Sequence, residues 1–264
     1  MLTDINIGQH IPGDSIVHRL DPRIKLISTM MAIIVLFLIS SFTGFLIYFI
    51  FFAAIVLLAE IPFIRILRGL KPILILMLIT LFFHAFFTEG GAILWEWRFL
   101  RIEEEGLLRG LFMIVRIILL IMYTSVLTLT TSPMDLTDGI EYILKPFRRI
   151  GVPAGELAMM MTIALRFIPT LLNEADKIIK AQKSRGADFE SGNLIRRAKN
   201  LVPLLVPLFI SAFRRADELA LAMEARCYRG GRGRTRLHEL QMQKKDVLAL
   251  LFMLTSGLLI AIYF

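Results

Sequence analysis

The sequence holds a single cysteine, Cys227, in 264 residues. Neither a disulfide framework nor a four-thiolate metal site can be built within one such chain. Four histidines are scattered along it, and neither a His-Glu-x-x-His run nor a paired-cysteine spacing occurs, so no metal and no cofactor bound by this chain is expected. There is no Gly-x-x-x-x-Gly-Lys-Ser/Thr loop either. The chain therefore lacks the usual cradle for ATP, and any ATP and Mg chemistry has to come from partner chains. The first apolar run follows a mixed-charge segment and ends without a small-residue cleavage site, so no removable signal peptide is expected.

What the sequence has in excess is apolar surface. Hydrophobic residues make up 56% and the mean hydropathy is +0.70, more than a soluble core needs. Crossing about 30 Å of hydrocarbon takes about 20 apolar residues. Runs of that kind lie at 24–42, 44–61, 72–88, 107–131 and 246–264. The fold class is an all-α integral membrane protein with about five transmembrane helices and long cytoplasmic coupling helices. Three parts follow: 1–131 as a membrane domain with four spans, 132–243 as a cytoplasmic coupling domain, and 244–264 as a last span.

Basic residues outnumber acidic ones, 30 to 22, and their placement sets the topology. Arg19, Arg23 and Lys25 precede the first span; Arg65, Arg68 and Lys71 fill the second connection; about two thirds of all Lys and Arg lie between 132 and 245. All three groups fall on one side, so a cytoplasmic N-terminus is expected. Ser40-Ser41-Phe42-Thr43 leaves almost no outer loop between the first two spans, which are expected to be antiparallel neighbours. Glu156–Leu172 is nearly apolar enough to cross, but Arg166 and Pro169 argue for helices at or below the inner interface. Trp95–Ile102 mixes aromatic and charged residues, as an interfacial hairpin or short helix would.

Two helix starts are written plainly. Leu20-Asp21-Pro22-Arg23 puts an acceptor at the N-cap and proline at the first helical position. Ser132-Pro133 repeats the device, with Asp135 in the first turn where a carboxylate favours the helix dipole.

The functional pattern lies in the basic half. Ile168, Leu171, Ala175, Ile178 and Gln182 recur at spacings of three and four, and the next position is Arg185. Phe209, Ala212, Ala216, Leu219 and Met223 follow the same series to Arg226. Asp176 and Asp217 stand at equal distances before the arginines, a degenerate repeat of about forty residues. Such seams pack long helices at shallow angles, with the arginines expected at corresponding ends. Pro169, Pro203 and Pro207 fall inside these segments and are expected to act as hinges. Gly186 and Gly230-Gly231 mark the helix ends. The flanks Ser184, Gly186, Ala225 and Cys227 are small, letting the backbone approach a groove while Arg185 or Arg226 meets a carboxylate. An arginine that merely complements a helix macrodipole is the plainer reading of either site alone; the recurrence with small flanks favours docking.

Other charged residues have plainer uses. Arg116 lies mid-span and needs protein or water around it; Arg109 shares its face, and for Arg116 a structural pairing with Glu60 or a neighbouring span stands beside a role in transport. His84 reads as a hydrogen-bonded filler. Arg229, Arg232, Arg234 and Arg236 suit anionic headgroups at the inner surface better than nucleic acid. Asp135, Asp138 and Glu141 allow an alternative, a membrane enzyme acting on lipid headgroups, though a solvated helix face explains them as well. A stand-alone secondary transporter is a further alternative, with few polar groups near midplane to couple an ion.

Several segments resemble a known family. Ser15–Lys25, Thr130-Thr131-Ser132-Pro133 and Leu165-Arg166-Phe167-Ile168-Pro169 are similar to the transmembrane T component of energy-coupling factor transporters. Ala181–Gly186 and Glu224–Gly230 resemble that family's two short Ala-Arg-Gly-type signatures, with Ser184 and Cys227 as small replacements. The resemblance implies two ABC-type ATPase partners, as a homo- or heterodimer, each taking Arg185 or Arg226 into a groove. It also implies a separate substrate-binding membrane subunit (the S component) for a vitamin or metal ion, no catalysis by this chain, and helix tips brought together when the ATPases close on ATP.

Overall fold

The structure is a computed structural model that describes residues 10–97, 100–187, 189, 193–230 and 242–263. Of the arginine cluster expected to meet headgroups, Arg229 is exposed, and the other three lie outside the described residues. The described elements are α1 (Pro22–Leu38), α2 (Phe42–Ala59), α3 (Phe63–Leu70), α4 (Leu74–Phe87), β1 (Ile93–Trp97), β2 (Leu100–Glu103), α5 (Glu104–Thr130), α6 (Pro133–Leu144), α7 (Ala154–Ser184), α8 (Leu194–Ala225) and α9 (Lys244–Tyr263). They fall into two compact units, Gly8–Gly139 with Glu239–Phe264, and Ile140–His238. The protein is a helical membrane protein.

The first unit is organised on α5, which packs against α1, α2, α3 and α4. Its core is filled by Leu36, Ile39, Phe52, Leu119 and Met122, all almost fully buried. Large apolar side chains such as Leu57, Ile75 and Phe87 stay exposed on the outside, the reverse of a soluble surface and suited to lipid. Close helix approach is bought with glycine: a Cβ at Gly106 would meet the His84 carbonyl at 2.6 Å, and one at Gly257 would meet the Val35 side chain at 2.9 Å. The first contact seats α5 on α4 and the second seats α9 on α1.

The helix starts follow the sequence. Asp21 caps α1, its carboxylate accepting from the Arg23 amide at 2.9 Å, with Pro22 at the first position. Ser132 Oγ accepts from the Asp135 amide at 3.1 Å and donates to the Asp135 carboxylate at 2.6 Å. That carboxylate works as half of a cap, which weakens its candidacy as a catalytic acid. Within the Trp95–Ile102 segment the described residues pair as antiparallel strands, Trp95 opposite Ile102 and Trp97 opposite Leu100.

One expectation needs correction: α1 and α2 are not packed neighbours, and each lies against α5 and α9. The tight turn joins them, but two apolar helices gain more by burying a face on the central α5 than on each other; the Tyr48 hydroxyl does reach across to the Ala32 carbonyl at 3.1 Å. The three prolines lie within continuous helices, Pro169 in α7 and Pro203 and Pro207 in α8. Among the described residues four helical stretches are long and apolar enough to cross a membrane, in keeping with the expected all-α membrane fold: Phe42–Ala59, Phe63–Phe87, Glu104–Thr130 and Ala154–Ser184. α7 therefore meets that criterion, although an interfacial place was expected for it, while α1 has 17 residues and α9 starts with Lys244, Lys245 and Asp246.

Candidate functional site

The two arginine tips are built from one backbone motif used twice. Arg185 is the C-cap of α7, Gly186 follows at φ +85, and the amides of Gly186 and Ala187 return to the carbonyls of Lys183 and Gln182, each at 3.0 Å. Arg226 is the C-cap of α8, Cys227 follows at φ 57, and the amides of Cys227 and Tyr228 return to Glu224 and Met223 at 2.9 and 3.0 Å. This paired return is the Schellman closure of a helix. It leaves the cap side chain free to project beyond the last turn. Both arginines and their small flanks Ser184, Gly186, Ala225 and Cys227 are exposed, and among the described residues neither guanidinium has an ion-pair partner.

One detail of the sequence reading is overturned here. The left-handed residue ending α8 is Cys227, three positions before Gly230. A non-glycine residue there strains the turn by about 1–2 kcal/mol, whereas Gly186 adopts the same conformation without that cost.

The seams hold on one helix better than on the other. On α7, Ala175 is buried and Leu171, Ile178 and Gln182 are half-buried, in the expected register, while Ile168 at the start of the seam is exposed. On α8, Ala212, Leu219 and Met223 are half-buried, but Phe209 and Ala216 are exposed and Ser211 and Arg215 turn inward instead. The cause is an ion pair absent from the sequence reading: Arg215 Nη2 donates to Glu174 Oε2 at 2.7 Å. Ser211 adds a second hydrogen bond to the same Glu174 carboxylate. Glu174 and Arg215 each stand eleven positions before their arginine, so opposite charges at matched repeat positions were the missed signal.

This crossing also corrects the placing of the arginines at corresponding ends. Each lies about 16 Å beyond the crossing along its own helix. Were the helices parallel, Leu194 would start about 48 Å from Arg185, yet the nine peptide steps between them span about 32 Å at most. The helices are opposed, and the arginines end different arms, at least about 25 Å apart.

A second polar cluster was missed entirely. Lys25 is 8% exposed, and its Nζ donates to the carbonyls of His18 at 2.8 Å and Thr130 at 3.0 Å. Asp135, Asp21 and Asp246 supply the surrounding negative charge. Asp246 accepts from the amides of Asp21 at 2.9 Å and Gln243 at 2.8 Å, which ties the start of α9 to the start of α1. The Ile11 amide donates to the Leu129 carbonyl at 2.9 Å. Beside this knot, Ser15 Oγ and His18 Nδ1 lie 2.6 Å apart, and burial, reinforced by the Lys25 charge, lowers the His18 pKa from 6.5.

The remaining residues fall as follows. Arg116 does not reach Glu60, which is exposed at the opposite end of α2; its Nη2 donates to the Ile39 carbonyl at 2.9 Å. Arg109 pairs with Glu105 at 3.0 Å. His84 Nδ1 and Thr88 Oγ1 lie 3.2 Å apart, as a hydrogen-bonded filler requires. Among the described residues no group of three or more His, Cys, Asp or Glu is placed to hold a metal.

A multi-span helical unit with lipid-suited walls, joined in one chain to a crossed helix pair tipped by free arginines, defines a membrane subunit of a transporter. Comparison with known proteins makes this specific. Residues 13–261 match the family described as cobalt transport protein (CbiQ). The chain is 58% identical over 250 residues to the energy-coupling factor transporter transmembrane protein EcfT of Clostridium kluyveri, covering 94% of this chain and 93% of that one. It is 56% identical over 263 residues to the EcfT of Acidaminococcus fermentans (99% and 97%) and 47% identical over 246 residues to that of Bacillus subtilis (93% of each). The chain belongs to this family of energy-coupling factor transmembrane proteins.

Proposed function

We propose that this chain is the coupling subunit of an energy-coupling factor importer, seating two ABC-type ATPases on Arg185 and Arg226. It passes their ATP-driven closure to a separate membrane subunit that binds a vitamin or metal ion. The chain itself is not a catalyst; ATP and Mg are handled in the partners. The observation that carries this reading is the duplicated tip: the same helix closure, twice, with an exposed arginine at the same cap position. A guanidinium without an internal partner suits bidentate capture by a carboxylate in a groove. The separation of at least about 25 Å favours one groove on each of two proteins over a single shared groove.

The N-terminus is placed on the cytoplasmic side with the ATPases, on the strength of the Lys and Arg distribution. The test is recovery of the complex from membranes in mild detergent. Wild-type protein should bring down ATPase subunits in stoichiometric amount, and Arg185→Glu with Arg226→Glu should lose them while still inserting. Breaking a desolvated arginine–carboxylate contact costs about 2–5 kcal/mol, so each reversal should weaken association at least about thirtyfold. ATP-dependent uptake at the wild-type rate in the double variant would refute the docking role.

A further inference from the structure

The strongest unassigned feature is an open surface depression of about 380 Å³ at the turn between α1 and α2, called the cavity below, with Arg116 on its wall and Arg109 at its rim. The Arg116 guanidinium lies 5.1, 5.6 and 5.9 Å from the rings of Phe112, Phe37 and Phe45. It donates to the Ile39 carbonyl at 2.9 Å and makes only a long contact with Met113 Sδ at 3.9 Å; its buried Nε has no partner. No carboxylate neutralises it among the described residues: Glu105 is engaged by Arg109, and Glu60 caps the far end of α2. A permanent cation in a membrane protein, held by rings and a single carbonyl, lacks a counter-charge.

The depth of the site says where that charge comes from. Lys25 meets the Thr130 carbonyl near one end of α1, and Arg116 meets the Ile39 carbonyl at the other. Between those bonds α1 and α5 run together for about 21 Å. α5 then continues for about 18 Å more, to Glu104. The α1–α2 turn, with Ser40 and Ser41, therefore stops well short of the far end of α5. The apolar run 24–42 that forms α1 is about 28 Å long as helix, close to the roughly 30 Å of the hydrocarbon core, so the turn that ends it sits at the edge of that core. A polar turn at that edge brings the headgroup layer within reach of Arg116, which bonds the Ile39 carbonyl there. Phe37, Leu38, Phe42 and Leu108, all exposed, line the same cavity as an apolar wall for acyl chains.

We propose that this cavity binds the phosphodiester of an anionic lipid from the leaflet facing the α1–α2 turn. Arg116 takes the phosphate from below, the Arg109–Glu105 pair stands about 10 Å higher along the helix beside the headgroup, and the phenylalanines hold the first methylenes. The recognition element is a phosphate with two apolar tails, not the inorganic ion.

Full-length protein in neutral detergent, titrated with phosphatidylglycerol and followed by native mass spectrometry, tests this. Wild type should retain one such lipid, and Arg116→Gln should bind it at least about tenfold more weakly, a difference of about 1.4 kcal/mol. Leu108→Trp, which narrows the cavity but leaves both arginines, should weaken binding as well; it keeps the test decisive if Arg116→Gln fails to fold. Phosphatidylcholine should be retained less than phosphatidylglycerol, and excess inorganic phosphate should not displace the lipid. Equal retention of phosphatidylglycerol by wild type and both variants, equal retention of the two lipids, or displacement by inorganic phosphate would each overturn the proposal.

Discussion

At the scale of single residues, the decisive positions are the two that follow the tip arginines. Gly186 and Cys227 occupy the same place in the same helix closure, both with positive φ, but only glycine enters that region without strain. Cys227→Gly is therefore expected to stabilise the end of α8 by about 0.5–1 kcal/mol, seen as a higher Tm. Gly186→Ala should destabilise the end of α7 by about 1–2 kcal/mol; no side chain crowds that position, so the loss reports backbone strain alone. The arginines themselves and their small neighbours were legible in the sequence as a repeated pattern. The identity of the left-handed residue was not, because a glycine pair nearby offered a more familiar signal than an exposed cysteine.

At the scale of elements, two polar contacts join helices remote in sequence. The Glu174–Arg215 pair fixes where α7 and α8 cross. Exchanging the charges (Glu174→Arg with Arg215→Glu) should restore ATPase recovery that either single reversal impairs, as measured by the same pull-down. If both single reversals leave recovery unchanged, the crossing does not set the tips. The Lys25 knot joins α1, the end of α5 and the start of α9. Lys25→Met would leave Asp21, Asp135 and Asp246 without their central cation, and a loss of about 3–5 kcal/mol is expected by analogy with other broken buried pairs, measurable as reduced thermal stability in detergent. Helix existence, capping and approximate bounds were readable from periodicity and cap residues. The partners across helices were not, since a sequence pattern places a residue on a face without naming what lies opposite.

At the scale of the whole molecule, the tip geometry and the N-terminal histidine give separate expectations. Because the arginines stand at least about 25 Å apart, Arg185→Glu alone should release one ATPase and leave the other attached, readable as a complex lighter by one subunit. His18 is held below its ordinary pKa of 6.5, so the unfolded chain takes up a proton more readily than the folded one. Its contribution opposes folding as pH falls through about 6.5. Stability should decline on acidification below that point, and His18→Gln should flatten the decline in a series of thermal melts across pH 5–8.

The sequence by itself determined that the chain is helical and membrane-embedded, and it carried the arginine repeat, because apolar run length, charge placement and small-residue spacing are local properties that lipid and helix geometry read directly. Only the tertiary structure decided which helices touch, that the tips end opposed arms, and that Lys25 and Arg116 are held by backbone carbonyls from other segments. Those outcomes depend on competition among apolar faces for the central α5 and on charges seeking partners at matching depth, and neither is written in any one stretch of chain.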